Sequence, residues 1–171
     1  ISEAMSEEYY KRYGLQFIPF HNPISIEKWL PFCKVTWETE GKFKILYTGR
    51  IGRANGKAII FIAHIINELN LTEGDVTLDI YTPDFDNKHA ISISNLSGVN
   101  VKKTVPYTEM PSLLSGYDLL FLPLDFDRDG IRFAKLSMPT KASEYMISGT
   151  PILIYSPEET AVAKFFIKNK C

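Results

Sequence analysis

The chain has 171 residues, 45% of them apolar and 23% charged, and its 19 basic and 20 acidic side chains give a net charge of −1. At roughly 150 residues per domain, this length fits one domain with a short extension and excludes a second full domain. The balanced charge disfavours nucleic acid as the main partner, and no apolar run approaches the ~20 residues that cross a bilayer. Cys33 and Cys171 lie far apart in the sequence, which favours a reducing compartment over a disulfide scaffold.

The first forty residues differ in pattern from the rest of the chain. The stretch from Ile1 to Tyr13 predicts a polar helix with an apolar edge, which ends at Gly14. We interpret residues 1–40 as an interdomain helix and linker from a preceding domain, and residues 41–171 as one domain truncated at its C-terminus. Trp29 and Trp37 fit either an interdomain contact or packing on this domain.

From Gly41 onward, short β-branched and aromatic runs alternate with stretches of helical period. This alternation predicts repeated βα units and a parallel sheet. Runs such as YDLLFLPL (117–124) lack polar alternation, as is typical where helices cover both faces of a sheet. We therefore expect an α/β fold, a doubly wound Rossmann-like sheet of order 3-2-1-4-5. The predicted strands are 43–48, 76–82, 99–104, 118–124 and 151–155.

Helices are predicted between these strands. An apolar stripe from Ala58 to Leu69 predicts the first helix, and a short one is expected over 88–94. Thr108 is the expected N-cap of a helix over 108–114. A helix over 139–148 has Pro near its start and Gly149 just past its end, and a fifth begins at Ser156 as its cap.

A ligand of such a sheet binds at the carboxyl ends of the strands, where the strand order reverses. The loop 49–56 faces that point and carries Arg50 and Arg53, followed by Lys57 at a helix start. Basic groups at a helix N-terminus suit a phosphate or diphosphate, and a solvated basic loop is the alternative. The glycine spacing matches neither the dinucleotide fingerprint nor the P-loop.

The loop 125–139 also faces the switch point and carries Asp125 and Asp127. The carboxylate spacing resembles the opening of a calcium loop, but Leu136 stands where such a loop needs Glu. A bare pair of aspartates is frequent by chance, so a solvated acidic loop is favoured and we predict no metal.

The helix predicted over 139–148 presents Thr140, Lys141 and Glu144 on one side of its first turns. Backbone N–H groups at Thr140 and Lys141 would meet a diphosphate, and Glu144 would accept from two ribose hydroxyls. The alternative is a Lys–Glu pair on a solvated helix face.

Three segments resemble the C-terminal, donor-binding domain of GT-B glycosyltransferases, family 4 in particular. They are SMPTKASEYMISGTPI (137–152), SGYDLLFLP (115–123) and YTGR (47–50). Residues 2–23 also resemble that family's junction between its two domains. The resemblance therefore covers nearly the whole chain and implies the C-terminal half of a GT-B fold.

The resemblance also implies roles for single residues. It assigns Arg50 and Lys57 to the donor diphosphate, Glu144 to the donor ribose, and Pro106 with Tyr107 to the nucleotide base. The first Glu of the family's motif falls at Leu136, so this chain departs from the family in sugar recognition.

The function implied by the resemblance is that of a hexosyltransferase or related glycosyltransferase. The full-length enzyme would transfer a sugar from a nucleotide-diphosphate sugar to a sugar or lipid-linked acceptor held by the N-terminal domain, in bacterial cell-surface polysaccharide or glycolipid synthesis. The chain alone is expected to bind donor without turning it over, with no cofactor and no catalytic residue of its own. We expect a cytoplasmic location, in solution or peripheral to the inner face of the membrane. A sugar-nucleotide epimerase of the same fold and a non-catalytic doubly wound binding module are the alternatives.

Overall fold

The computed structural model describes residues 2–72 and 74–170. Ile1, Glu73 and Cys171 lie outside the described residues, so the predicted helix start at Ile1 and the pairing of Cys171 are not among the features below. Cys33 is a free thiol. In the described ranges, no helix has the length and apolar character needed to cross a bilayer.

Five parallel strands form one sheet in the order β3-β2-β1-β4-β5, which confirms the predicted class and strand order. β1 pairs with β2 from Phe43 opposite Val76 to Thr48 opposite Tyr81. The strands are β1 Phe43–Thr48, β2 Val76–Tyr81, β3 Val99–Lys102, β4 Leu119–Pro123 and β5 Ile152–Tyr155.

Helices cover both faces of the sheet, as the lack of polar alternation in runs such as YDLLFLPL (117–124) predicts. α3 and α4 pack on one face through residues such as Ile59 and Ile93. α5, α7 and α8 pack on the other face through Leu114, Tyr145 and Phe166. The helices are α1 Glu3–Tyr13, α2 Ile26–Trp29, α3 Gly56–Thr72, α4 Lys88–Ile93, α5 Met110–Ser115, α6 Arg128–Ala134, α7 Lys141–Ile147 and α8 Ala161–Asn169.

Three helices begin later than the sequence predicts. Thr108 lies in the 3-10 turn Tyr107–Glu109 and does not cap α5. α7 begins at Lys141, and Thr140 before it makes no capping hydrogen bond through its side chain. The predicted start of α8 at Ser156 is wrong, because residues 157–160 first close a turn in which the Thr160 N–H donates to the Pro157 carbonyl at 3.1 Å. The Thr160 hydroxyl then caps α8 by accepting from Ala163 N–H at 3.3 Å.

Part of the N-terminal segment packs on the strand-bearing part of the chain. Trp29 is 2% exposed and belongs to the same core cluster as Leu114 and Tyr145. Trp37 donates its indole N–H to the Gly149 carbonyl at 2.9 Å. Trp29 therefore packs on this domain, whereas Trp37 contacts it through this hydrogen bond and is 61% exposed.

Candidate functional site

The strand order reverses between β1 and β4, which are neighbours in the sheet although β2 and β3 lie between them in sequence. Loops that follow the carboxyl ends of β1 and β4 therefore enclose the crevice where ligands of such sheets bind. These loops are residues 49–55 and 124–127, and the start of α7 borders the same crevice.

The glycine loop after β1 is held in shape by side-chain hydrogen bonds. The Tyr47 hydroxyl donates to the Arg50 carbonyl at 2.5 Å, and the Asn55 amide donates to the same Tyr47 oxygen at 2.7 Å. The Asn55 side-chain carbonyl accepts from Gly52 N–H at 2.9 Å, so Asn55 ties both halves of the loop together. Gly49 has φ +122°, a conformation that glycine adopts without steric cost.

Lys141 reaches from α7 into the base of this loop. Its ammonium donates to the Thr48 carbonyl and lies 4.0 Å from the centroid of the Tyr47 ring. A Cβ at position 49 would lie 2.5 Å from Lys141 Nζ, so only glycine lets the amine approach this closely. The residue as a whole is partly accessible, but its ammonium is buried, and that burial lowers the pKa of Lys141 to about 7.

Glu144 lies one turn further along α7. Burial raises the pKa of Glu144, and this outweighs the opposing effects of a hydrogen bond from Tyr107 and the charge of Lys141. The structure thus brings together three predicted site residues, Tyr107, Lys141 and Glu144. Next to them, the buried Tyr145 hydroxyl accepts from Thr48 N–H at 3.0 Å and fixes α7 to the end of β1.

Asp125 caps α3 at the opposite side of the crevice. It is 3% exposed, and its carboxylate accepts from Ala58 N–H at 2.7 Å and from Lys57 N–H at 3.3 Å. These N–H groups of the first turn are therefore bound to a carboxylate of the chain itself. A phosphate at this helix start would compete with Asp125 for them.

The two basic side chains predicted to hold a diphosphate point to different carboxylates. Arg50 Nη1 lies 3.0 Å from Asp84 Oδ1, and its side chain is 79% exposed. Lys57 forms an ion pair with Asp127, with its side chain 70% exposed. The structure does not bring Arg50 and Lys57 together, and each forms a solvated ion pair on its own side of the loop.

The acidic loop after β4 uses its carboxylates within the chain. Asp125 caps α3, and Asp127 caps α6 by accepting from Gly130 N–H at 2.8 Å. The solvated loop predicted over 125–139 therefore contains a helix, α6. Among residues 2–72 and 74–170, no group of three or more His, Cys, Asp or Glu side chains is placed to hold a metal ion. A metal-independent site stays a prediction.

His21 and His64 are not among the residues that line the crevice between β1 and β4, whereas His89 lines a small cavity together with Arg53 and Asp125 of its two loops. His64 is exposed on α3, and His21 Nε2 lies 3.1 Å from both Glu3 carboxylate oxygens. The His89 ring lies against Gly56, on the side of α3 where Lys57 and Asp127 form their ion pair.

Two cavities border α7. The smaller, about 180 Å³, lies in the crevice between the β1 loop, the end of β4 and α6, and it is lined by Asn55, Leu124, Phe133, Pro139 and Lys141 among others. The larger, about 330 Å³, lies between the N-terminal segment and α7, and its mostly apolar lining includes Met5, His21, Met138, Met146 and Phe165. Lys141 lines only the smaller cavity, which is the one at the switch point.

Sequence reasoning missed Tyr47, Asn55 and Tyr145, which shape this site, and it placed Asp125 at the switch point without predicting that it caps α3. Two of these four residues carried a signal. Asn55 directly precedes a Gly at a helix start, where Asn commonly organises a turn. Asp125 directly follows a buried strand, which places it at the carboxyl end of the sheet.

No protein-family model matches the chain, and no curated protein matches it. Several solved structures are similar in fold. A UDP-forming trehalose-phosphate synthase from Burkholderia xenovorans, in complex with glucose-6-phosphate, is 15% identical, with a TM-score of 0.47 over 73% of this chain and 31% of that one. The C-terminal domain of a group 1 glycosyl transferase from Francisella tularensis is 12% identical, with a TM-score of 0.45 over 89% of this chain and 85% of that one.

A UDP-GlcNAc 2-epimerase from Neisseria meningitidis, bound to UDP-GlcNAc, is 19% identical, with a TM-score of 0.41 over 98% of this chain and 44% of that one. The chain spans about a third of the length of the trehalose-phosphate synthases that it matches. Similarities of this strength show the fold alone and do not assign the chain to a family.

Proposed function

We propose that this chain binds the nucleoside diphosphate part of a nucleotide sugar, as the donor-binding domain of a glycosyltransferase. One observation carries the proposal. Lys141 and Glu144 stand one turn apart on α7 at the carboxyl ends of β1 and β4, and burial disfavours the charged form of both.

Ionisable groups buried in this way cost stability, because a charge loses its hydration without gaining a full set of partners. Among the described residues, no ion pair within 4.0 Å joins Lys141 to a carboxylate. Groups held in such an environment at the ligand-binding edge of a sheet are candidates for a binding site. Their partners are then expected to come from the ligand.

The chemistry of the residues indicates which ligand. Lys141 offers N–H donors to an anionic oxygen, and Glu144 offers carboxylate oxygens to hydroxyl donors. Tyr107, 61% exposed beside Glu144, offers an aromatic face to a base. A nucleoside diphosphate carries an anion, a ribose diol and an aromatic base at successive positions, so one ligand would engage all three residues.

Arg50 is proposed to join the site when the ligand binds. Its side chain is exposed and has Asp84 as its carboxylate partner, so it can turn to the diphosphate at little cost. Lys57 is paired with Asp127 and its side chain is 70% exposed, and we propose that it also turns to the diphosphate. In glycosyl transfer, such positive groups would stabilise the departing diphosphate without a metal.

In the full-length protein, a second domain would hold the sugar or lipid-linked acceptor, and the sugar would pass to it across the crevice. Synthesis of a cell-surface polysaccharide or glycolipid is the proposed context. The chain by itself is proposed to bind the donor without transferring the sugar.

Calorimetric titration of the 171-residue chain with UDP, GDP, ADP, dTDP and CMP, without added metal, tests the proposal. We expect one nucleoside diphosphate to bind, and we expect Glu144→Ala to weaken it at least about tenfold, because a hydrogen bond to a charged group contributes ~1.5–3 kcal/mol. Arg50→Ala should weaken it in the same way. Arg12→Ala is the matched control, since Arg12 also forms an exposed ion pair, with Glu8. The proposal would be contradicted if none of the five nucleotides binds, or if Arg12→Ala loses as much nucleotide affinity as Arg50→Ala and Glu144→Ala.

A further inference from the structure

Among residues 2–72 and 74–170, the Lys141 ammonium has fewer hydrogen-bond partners than its three N–H donors could bind. One donor bonds to the Thr48 carbonyl, and the Tyr47 ring face lies 4.0 Å away. The groups around it are Thr48 and Gly49 on the β1 side and Glu144 on α7. Gly49 leaves the amine room because it has no side chain.

Lys141 is also one of the residues that line the cavity of about 180 Å³ at the switch point. Apolar residues form much of its wall, among them Leu124, Phe133 and Pro139. An ammonium beside such a wall is poorly hydrated, whereas a neutral amine is not penalised. An anion that enters this cavity would supply the countercharge that the protein does not.

The titratable and charged groups that face the amine do not supply a countercharge that keeps it protonated above neutral pH. Glu144 favours the charged form of Lys141, but burial outweighs it and keeps the pKa of Lys141 near 7. Tyr47 and Tyr145 are neutral near pH 7, because burial raises the pKa of Tyr145 to about 12 and raises the pKa of Tyr47 further still. Arg50, in the adjacent loop, is paired with Asp84.

We propose that the diphosphate binds in this cavity together with one proton, which the neutral amine of Lys141 takes up from solvent to become an ammonium. The inference rests on the function proposed above and adds a proton to its binding equilibrium. The bound anion and the new ammonium then form a charge-assisted hydrogen bond inside the crevice.

The linkage between proton uptake by Lys141 and ligand binding determines how affinity changes with pH. Below the pKa of the free amine, Lys141 is already charged and binding takes up no proton. Above it, the ligand must bind with a proton, so affinity falls by up to about tenfold for each pH unit. A nucleoside diphosphate is fully ionised by about pH 8, so proton uptake measured there belongs to the protein.

The test has a ligand-free arm and a ligand arm. In the free chain, NMR titration of isotope-labelled lysine side chains should show one lysine that titrates near neutral pH and is missing in Lys141→Met. In the ligand arm, calorimetry with UDP, GDP, ADP and dTDP at about pH 8 is run in Tris and in HEPES, which differ in ionisation enthalpy. We expect the nucleotide that binds to take up about one proton at this pH and far less at about pH 6.

Lys164→Met, which removes an exposed lysine on α8, is the control and should keep both the titration and the proton uptake. If Lys141 titrates only above about pH 9 in the free chain, the inference is overturned, whichever nucleotide binds. Nucleotide binding without proton uptake overturns this inference and leaves the proposed function standing. Absence of nucleotide binding overturns both.

Discussion

Two clusters of buried ionisable side chains lie on this sheet, and they differ in how their charges are satisfied. The Asp79 cluster joins β2 and β3. The Asp79 carboxylate accepts from Asn100 at 2.7 Å, from Lys102 at 2.6 Å and from the Tyr117 hydroxyl at 2.5 Å. Burial alone would raise the pKa of Asp79, but these hydrogen bonds outweigh burial and hold it below its usual value.

The α7 cluster, Lys141 and Glu144, behaves in the opposite way. Burial shifts both residues toward their neutral forms, because the chain supplies neither with a full set of partners. The Asp79 cluster is complete without a ligand, so it serves the fold. The α7 cluster is incomplete, and it lies at the edge of the sheet where ligands bind. Changes to the first cluster should therefore alter stability, and changes to the second should alter binding.

Asp79→Ala should give the largest change in stability. It leaves the Tyr117 hydroxyl and Lys102 without their acceptor, and we expect the free energy of unfolding to fall by about 3 kcal/mol. Urea denaturation near neutral pH measures this, with Asp86→Ala, an exposed carboxylate, as the control. Nucleotide affinity should stay unchanged in the folded variant. A loss of stability no larger than in the control would show that the cluster does not support the fold.

Lys141→Met should change stability in the other direction. The unfolded chain keeps this proton up to the ordinary lysine pKa of 10.5, whereas the folded chain loses it near 7, so the wild type gains stability as pH rises between these values. Removing the buried charge should raise the free energy of unfolding by about 1–4 kcal/mol at pH values below 7, and the gain should fade toward 10.5. Denaturation curves across this range provide the measurement. A variant less stable than the wild type below pH 7 would contradict the account of Lys141.

Glu144→Gln should have a smaller effect of the same kind. The folded pKa of Glu144 lies above its unfolded value of 4.5, so the carboxylate destabilises the fold once pH rises above that value. We expect the variant to be more stable at neutral pH by up to about 1 kcal/mol, and to bind nucleoside diphosphate at least about tenfold more weakly. Thermal melts and calorimetry are compared with Glu159→Gln, an exposed control on the chain's surface. Unchanged affinity would remove Glu144 from the site.

Arg50→Ala should change stability least. Its ion pair with Asp84 is solvated, so the free energy of unfolding should stay within about 0.5 kcal/mol of the wild type. Nucleotide affinity should still fall, because the guanidinium is proposed to reach the diphosphate only when the ligand is bound. Calorimetry and urea denaturation of the same preparation separate the two effects. A loss of stability in proportion to the loss of affinity would indicate a structural role.

The sheet and its helices were predictable because their signals are local. Runs without polar alternation, such as YDLLFLPL (117–124), indicate strands covered on both faces, and the alternation with helical stripes indicates a parallel sheet. Helix starts were less predictable, since Thr108 and Ser156 suit a cap by residue type. The chain instead begins α5 and α8 after a 3-10 turn and after a turn that ends at Thr160.

The site was predictable in its location but not in its contacts. The switch point follows from strand order, and Lys141 and Glu144 share one side of α7 as their spacing predicts. The contacts of Lys141 with Thr48 and Tyr47 span more than ninety residues of sequence, so no local pattern reports them. No local pattern indicates the Asp79 cluster either. Its Tyr117 follows Gly116 after the end of α5, 38 residues from Asp79 in the sequence.

The incomplete cluster on α7 is proposed to bind a nucleoside diphosphate, and amide chemical shifts report such binding residue by residue. Spectra of the isotope-labelled chain are recorded with and without UDP, GDP, ADP and dTDP. We expect one nucleotide to shift the amide signals of residues 49–56, 107 and 140–145 and to leave those of Asp79 and Lys102 unchanged. Shifts confined to other parts of the chain, or no shifts with any of the four, would contradict this proposal.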